Sequence, residues 1–156
     1  FSLANFMLGS GGNSRLWKRI REREGLSYGT WSSVQWNPFE RNSMWQAGAI
    51  FAPQNRDRVE QGFSEEIARA LKDGFSADEV NQSKQALLNF RRLSRAQDEA
   101  LAGLLARNLY LDRTMQVSQK VDDALAAMTP EQANAALRRY LDPARFAAAV
   151  AGDFKP

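Results

Sequence analysis

The chain has 156 residues, 44% of them hydrophobic and 25% charged, with 21 Lys plus Arg against 18 Asp plus Glu for a net charge of +3; this is the size and balance of one globular domain. It contains neither Cys nor His, which excludes disulfides, thiol nucleophiles and, from this chain alone, any Cys- or His-bearing metal site or His general base. No apolar run approaches the roughly 20 residues of a membrane span, and the Arg residues scatter along most helices instead of forming the concentrated basic face of a nucleic-acid binder.

Phe1 stands where a Met is usual, and Leu3, Phe6, Met7 and Leu8 pattern as the last turns of a helix closed by Gly9. A helix entered without a capping sequence predicts that the chain is an excised piece of something longer. Gly9 to Ser14 forms a turn in which Asn13 or Ser14 can cap the next helix. That helix runs from Arg15 to Glu24 with Leu16, Trp17 and Ile20 on one face, and Gly25 supplies its left-handed stop.

From Leu26 the period becomes two. Tyr28, Thr30, Ser32, Val34 and Trp36 are expected to point one way, and Trp31, Ser33 and Gln35 the other. A connection rich in breakers follows at 37–42, then a second strand from Met44 to Ala52, most simply paired as an antiparallel hairpin. Beyond Pro53 the period is helical. Val59, Phe63, Ile67 and Leu71 form one stripe, ended by Gly74. Ser76 to Glu79 is a capping box opening a helix with Val80, Leu87, Phe90 and Leu93. Leu101, Leu104, Leu105 and Leu109 mark the core stripe of another, and Val117, Val121, Ala124, Leu125 and Met128 that of the next. Thr129-Pro130-Glu131-Gln132 starts a final helix through Ala133, Ala136, Leu137, Tyr140 and Leu141, stopped by Asp142-Pro143. Phe146 to Ala151 reads as a short apolar strand. The predicted fold class is α+β, with an antiparallel or mixed sheet packed by helices. Three strands are few for so many helices, so further sheet partners are expected outside this chain.

Chemistry has few places to sit. The glycines at 9, 11 and 12 precede a helix, but no Gly-Lys-Ser/Thr ending follows and the segment joins helix to helix, so it reads as a structural turn and not a phosphate loop. The pairs Glu65/Glu66 and Asp122/Asp123 are sequence neighbours, point apart on a helix and are expected to be solvated. Trp31, Trp36 and Trp45 suit a packed sheet face better than a stacking surface for bases or sugars. Arg21 and Tyr28 bracket the reversal at Gly25 and can converge. A guanidinium and a phenol aimed at one point could stabilise an oxyanion or hold a peptide carbonyl; alternatively Arg21 complements the helix dipole and Tyr28 fills a half-buried strand position.

Asn5-Phe6-Met7-Leu8-Gly9, then Gly12-Asn13-Ser14-Arg15-Leu16-Trp17, then Ile20-Arg21-Glu22-Arg23-Glu24-Gly25-Leu26-Ser27-Tyr28 resembles a progression found in the pitrilysin/insulinase family of zinc metallopeptidases. The Thr-Pro-Glu-Gln helix start, the closure at Tyr140 to Pro143 and the Ala151-Gly152-Asp153 ending fit the same family, so that the resemblance covers essentially the whole chain. Members are inverted zincins with His-x-x-Glu-His and a downstream Glu ligand. A chain without His departs from that pattern completely. The resemblance therefore implies the zinc-free C-terminal half of the clamshell, a half-domain of the pitrilysin/mitochondrial-processing-peptidase type, truncated at its N-terminus, with residues 1–156 forming a single partial domain. Such a half is inactive by itself and closes with an N-terminal zinc-binding half, of the same parent chain or a partner subunit, around a peptide substrate.

The family's Arg lies seven residues before its Tyr, a spacing matched by Arg21 and Tyr28. The resemblance implies that these are the catalytic contacts of this half: Tyr28 hydrogen-bonding the developing oxyanion, Arg21 holding substrate carbonyls or orienting Tyr28. No cofactor is expected in this chain, and zinc is expected in the partner half. Two other readings stand beside this one, a non-catalytic scaffold or assembly subunit of the same fold and a basic nucleic-acid-binding domain. The composition looks bacterial, and the compartment is open between periplasm, where related long-chain members are often exported, and cytoplasm.

Overall fold

In the structure, a computed structural model describing residues 1–153, helices dominate and the sheet is a single hairpin. Helix α1 (Ser2–Asn5) continues without a break into wider, π-helical turns over Phe6–Ser10. The Gly11 N–H reaches back five residues to the Phe6 carbonyl at 2.8 Å. Gly9 therefore lies inside this helix and does not end it. A Cβ there would stand 2.7 Å from the Ser32 hydroxyl and 2.9 Å from Leu16, so its role is to let the helix approach the sheet.

The helix opened at Arg15 also widens, into π-helical turns over Trp17–Arg23. Ser14 does not cap it. Its hydroxyl is buried and has no hydrogen-bond partner among the described residues. The end of this helix follows expectation: Glu24 N–H bonds Arg19 O at 3.1 Å, Gly25 takes φ +61°, and Leu26 N–H returns to Ile20 O at 2.9 Å. Strands β1 (Ser27–Gln35) and β2 (Met44–Phe51) pair antiparallel, with Thr30 opposite Ala49 and Ser32 opposite Ala47. Thr30 and Ser32 face inward, while Trp31 lies on the other face, its ring covering Gly48.

Helices α2 (Arg56–Asp73), α3 (Ala77–Ser94), α4 (Asp98–Tyr110), α5 (Met115–Ala127) and α6 (Pro130–Tyr140) follow. Both predicted capping boxes form, at Ser76/Glu79 and at Thr129/Gln132. One core joins Leu3, Leu8 and Leu16 to Ile67, Ala70, Val80, Leu125, Ala133 and Leu137. Asn5 is buried at its edge, its side-chain carbonyl accepting from Ser32 Oγ and Trp45 Nε1, each at 2.8 Å.

Several expectations fail, each for a physical reason. Residues 146–151 form no strand, because the described chain places no backbone ladder beside them; Phe146 instead stacks its ring on Trp45, centroids 5.3 Å apart. Half of the leucine stripe of α4 turns outward: Leu109 is 83% and Leu105 47% exposed while Leu101 and Leu104 are half-buried, and the one buried residue of the helix is Asn108. Phe90 and Leu93 of α3 are exposed as well. Glu66 is not solvated but wholly buried, with both carboxylate oxygens accepting from Arg69, one turn along α2. Asp122 takes hydrogen bonds from Arg91 and Arg95 of α3 and so ties α5 to it. Burial pushes the Asp122 carboxyl upward, and the two guanidiniums outweigh that and hold it below its ordinary value.

Candidate functional site

A small second core sets the base of the site. Ile20, Leu26 and Val59 are buried together, with Ala49, Phe51 and Phe63 packed around them. This cluster fixes the end of the 17–23 helix and the start of β1 against α2 and β2. The contact is close: a Cβ on Gly62 would stand 2.5 Å from Ile20 Cδ1. Arg19 fastens the same helix electrostatically, with hydrogen bonds to Glu65 of α2 at 2.6 Å and to Glu24 at 2.8 Å. Glu65 and then Glu24 raise the Arg19 guanidinium's pKa, and Arg19 in turn lowers that of Glu65. Asn55 donates to Leu26 O at 3.1 Å and holds the reversal from outside.

On that base the structure brings Arg21 and Tyr28 together. The Arg21 guanidinium carbon lies 4.3 Å from the Trp17 ring centroid and 5.0 Å from that of Tyr28, so the cation is within cation–π reach of both rings. Contacts of this kind contribute about 0.5–1 kcal/mol each at exposed positions. Trp17 is itself held, its indole N–H donating to Glu22 at 3.2 Å. A cation–π contact uses none of the guanidinium's N–H groups as hydrogen bonds to an oxygen acceptor, and these remain to be satisfied. Among the described residues the Arg21 guanidinium makes no hydrogen bond, and Tyr28 is 85% exposed with its phenol equally unengaged.

Tyr28 does not share the face of Thr30 and Ser32 as strict alternation predicts, nor does it fill a half-buried position. The ladder slips between Ser27 and Gly29: Ser27 opposes Phe51, Gly29 opposes Ile50, and Tyr28 is the extra residue of a β-bulge. A bulge re-aims the side chain it carries and breaks the local ladder. Three backbone groups at the bulge converge on Ser27. Its buried hydroxyl lies 2.7 Å from Ile50 O and 2.8 Å from Gly29 O, and accepts the Gly29 N–H at 3.1 Å. Sequence reading missed both Ser27 and Trp17. Trp17 stands four residues before Arg21, a spacing that places the two side chains on one side of a helix; for Ser27 the signal is a small hydroxyl residue next to a Tyr-Gly pair at a strand start.

A separate cleft of about 540 Å³ lies under the 11–15 turn between α2 and α3, bordered by Lys18, Arg69, Asp73 and Gln82. Arg15 closes one side, hydrogen-bonded through both ends of its guanidinium to Glu79 at 2.9 Å and to Gly74 O at 2.7 Å. The glycine turn thus frames packing between helices. Among the described residues no group of three or more His, Cys, Asp or Glu side chains gathers where it could hold a metal ion, and no helix is long and apolar enough to cross a membrane.

Residues 1–87 match the family model of the peptidase M16 inactive domain. Among solved structures, the peptidase M16 inactive domain of Pseudomonas fluorescens superposes with a TM-score of 0.75 at 22% identity, over 90% of this chain and 33% of that one. The inactive peptidase domain of a candidate zinc protease from Bordetella parapertussis gives 0.72 at 16% identity, over 91% of this chain and 76% of that one. The periplasmic protease PqqL of Escherichia coli gives 0.69 at 21%, over 90% of this chain and 15% of that one. These likenesses show a shared fold. The chain spans about a third of the length of the first two solved structures that it matches. No curated protein sequence matches it.

Proposed function

Starting from the premise that this chain belongs to the peptidase M16 inactive-domain family, whose helix-rich α+β fold it has, we propose that it is the substrate-clamping, zinc-free C-terminal module of a peptide-cleaving zinc metalloendopeptidase. Membership of an inactive-domain family supports reading it as the zinc-free half of a zinc protease. The finer reading is that Arg21 and Tyr28 reach across to a peptide held by the N-terminal zinc-binding half, in the same chain or in a partner subunit. One observation carries it. The Arg21 cation contacts both the Trp17 and Tyr28 rings and makes no hydrogen bond among the described residues, beside a phenol that stands at a bulge in the sheet.

That arrangement has a chemical use. Peptide carbonyls are acceptors, and a preset guanidinium offers a fixed fork of N–H donors to one or two of them. Tyr28 is a neutral donor able to follow an oxygen that gains charge as a carbonyl becomes tetrahedral, and a donor that strengthens with developing charge lowers the barrier to reaction. Zinc does not fit this chain, since the described residues offer no ligand set. It is expected in the partner half.

The test uses the complete peptidase, zinc half included. Tyr28→Phe is expected to lower kcat by about 100-fold with KM little changed, the size of losing one oxyanion donor. Arg21→Ala is expected to raise KM and lower kcat together. Full turnover in both variants overturns the assignment.

A further inference from the structure

The bulge that presents Tyr28 has an internal lock, and we propose that Ser27 is a positioning residue for Tyr28, acting through the backbone of the bulge. This rests on the reading of Tyr28 given above.

The register slips between Ser27 and Gly29, so that Gly29 stands opposite Ile50 with Tyr28 as the extra residue, and Gly29 N–H, Gly29 O and Ile50 O all lie within hydrogen-bond reach of one side chain. Backbone groups at a break in a ladder hold the conformation when a local side chain satisfies them. The Ser27 hydroxyl meets all three. It accepts from Gly29 N–H at 3.1 Å and can give its one proton either to Ile50 O at 2.7 Å, across the strands, or to Gly29 O at 2.8 Å, along the same strand. One buried hydroxyl thus spans the bulge in both directions, with Tyr28 as the residue it spans.

Without the hydroxyl, the cheapest way to satisfy Gly29 and Ile50 is to slip the register by one residue and restore the ladder. A one-residue slip moves side chains to the opposite face. Tyr28 would turn toward the side occupied by Thr30 and lose its place over Arg21. No other side chain supplies a hydrogen bond to these groups among the described residues.

Three variants of the complete peptidase test this: Ser27→Ala, Ser27→Thr and, as a control, Ser33→Ala, whose hydroxyl accepts only from Gln46 on the outer face of the sheet. Ser27→Ala is expected to lower kcat at least 10-fold with KM within twofold. Ser27→Thr, which keeps the hydroxyl, is expected to restore most of that loss, and Ser33→Ala to leave it unchanged. In the same variants, contacts between the Tyr28 ring and Arg21 δ-protons, read as nuclear Overhauser effects, should vanish in Ser27→Ala and return in Ser27→Thr. If Tyr28→Phe lowers kcat but Ser27→Ala keeps both full turnover and the Tyr28–Arg21 contact, the positioning role is wrong while the role of Tyr28 stands. If Ser27→Ala loses the contact and kcat does not move, the role of Tyr28 itself fails. A loss in Ser27→Ala that Ser27→Thr does not restore, in a folded protein, also overturns the lock, because the hydroxyl is then not what matters.

Discussion

Replacing Glu79 by Gln isolates one charge at the junction between the 15–23 helix and α3. Both Glu79 oxygens lie 2.9 Å from Arg15 nitrogens, and one also accepts the Ser76 N–H at 2.9 Å to complete the capping box. The hydrogen bond from Arg15 is the main reason that the Glu79 carboxyl is lowered from 4.5 to about 2, with burial opposing it and the Ser76 backbone assisting. The unfolded chain therefore binds a proton at higher pH than the folded one. The stabilisation is complete above about pH 4.5 and drains away as pH falls toward 2. Taken at face value, a lowering of that size corresponds to about 3 kcal/mol. With 39% of the Glu79 side chain exposed, screening by water reduces this to about 1 kcal/mol. Gln keeps an oxygen for the Ser76 N–H but loses the charge. Urea unfolding at pH 7 should then place Glu79→Gln about 1 kcal/mol below the parent, with the gap closing as both are measured from pH 4.5 down to pH 2. A gap of equal size at pH 7 and pH 2.5 would refute the electrostatic origin and point to lost packing.

Three other substitutions probe the supports of the site. Gly62→Ala drives a methyl to within 2.5 Å of the buried Ile20 Cδ1; overpacking of this kind should cost about 1–3 kcal/mol, read as a lower urea midpoint. Gly25→Ala meets no neighbouring atom within 4 Å, so only its φ of +61° is at stake; the expected loss is about 1 kcal/mol, and a loss near zero in thermal unfolding would show that the helix can end another way. Asn5→Ala strips partners from the buried Ser32 hydroxyl and the Trp45 indole at once; about 2–3 kcal/mol of destabilisation is expected, with near-ultraviolet circular dichroism reporting the freed tryptophan.

Local signals were legible where local chemistry decides the structure. The Ser76 and Thr129 caps, the Gly25 stop and the hairpin all lie where short-range rules place them. Failures came where a residue's surroundings are set by distant parts of the chain. Strict alternation put Tyr28 with Thr30, because a bulge has no period of its own and depends on a hydroxyl satisfying groups on two strands. The same short-range view could not tell that Gly9 is a contact surface for Ser32, or that Leu105 and Leu109 of α4 face away from the core. Glu66 was misplaced for a related reason: adjacency to Glu65 fixes the angle between the two side chains but not which of them faces the interior. The widened turns at Phe6–Ser10 and Trp17–Arg23 carry no sequence marker at all, and such turns are frequent at functional sites. For the site, the Arg21–Tyr28 pairing could be inferred from the reversal at Gly25, while its braces could not.

On the proposed reading, the exposure of Tyr28 and the half-buried position of Arg21 bear directly on how such a half could be harmless alone. A charged hydrogen bond in water has a small net value, since a solvated guanidinium trades one set of acceptors for another; at about 4 Å a unit charge pair is worth only about 1 kcal/mol in bulk water and several times that in a less polar setting. On the proposed reading, the aromatic brace sets the geometry in advance, and covering by the partner half raises the electrostatic value of that geometry when the substrate is enclosed. The isolated chain should therefore show no saturable binding of an unfolded peptide up to about 1 mM by amide and guanidinium chemical shifts, since a Kd of that size already requires roughly −4 kcal/mol. Addition of the zinc half should bring binding into the micromolar range, and Arg21→Ala should weaken it about 10-fold or more, the size of one charge-assisted hydrogen bond. Submillimolar, Arg21-dependent binding by the isolated chain would show instead that the pair is sufficient in water and that enclosure is not what gives it force.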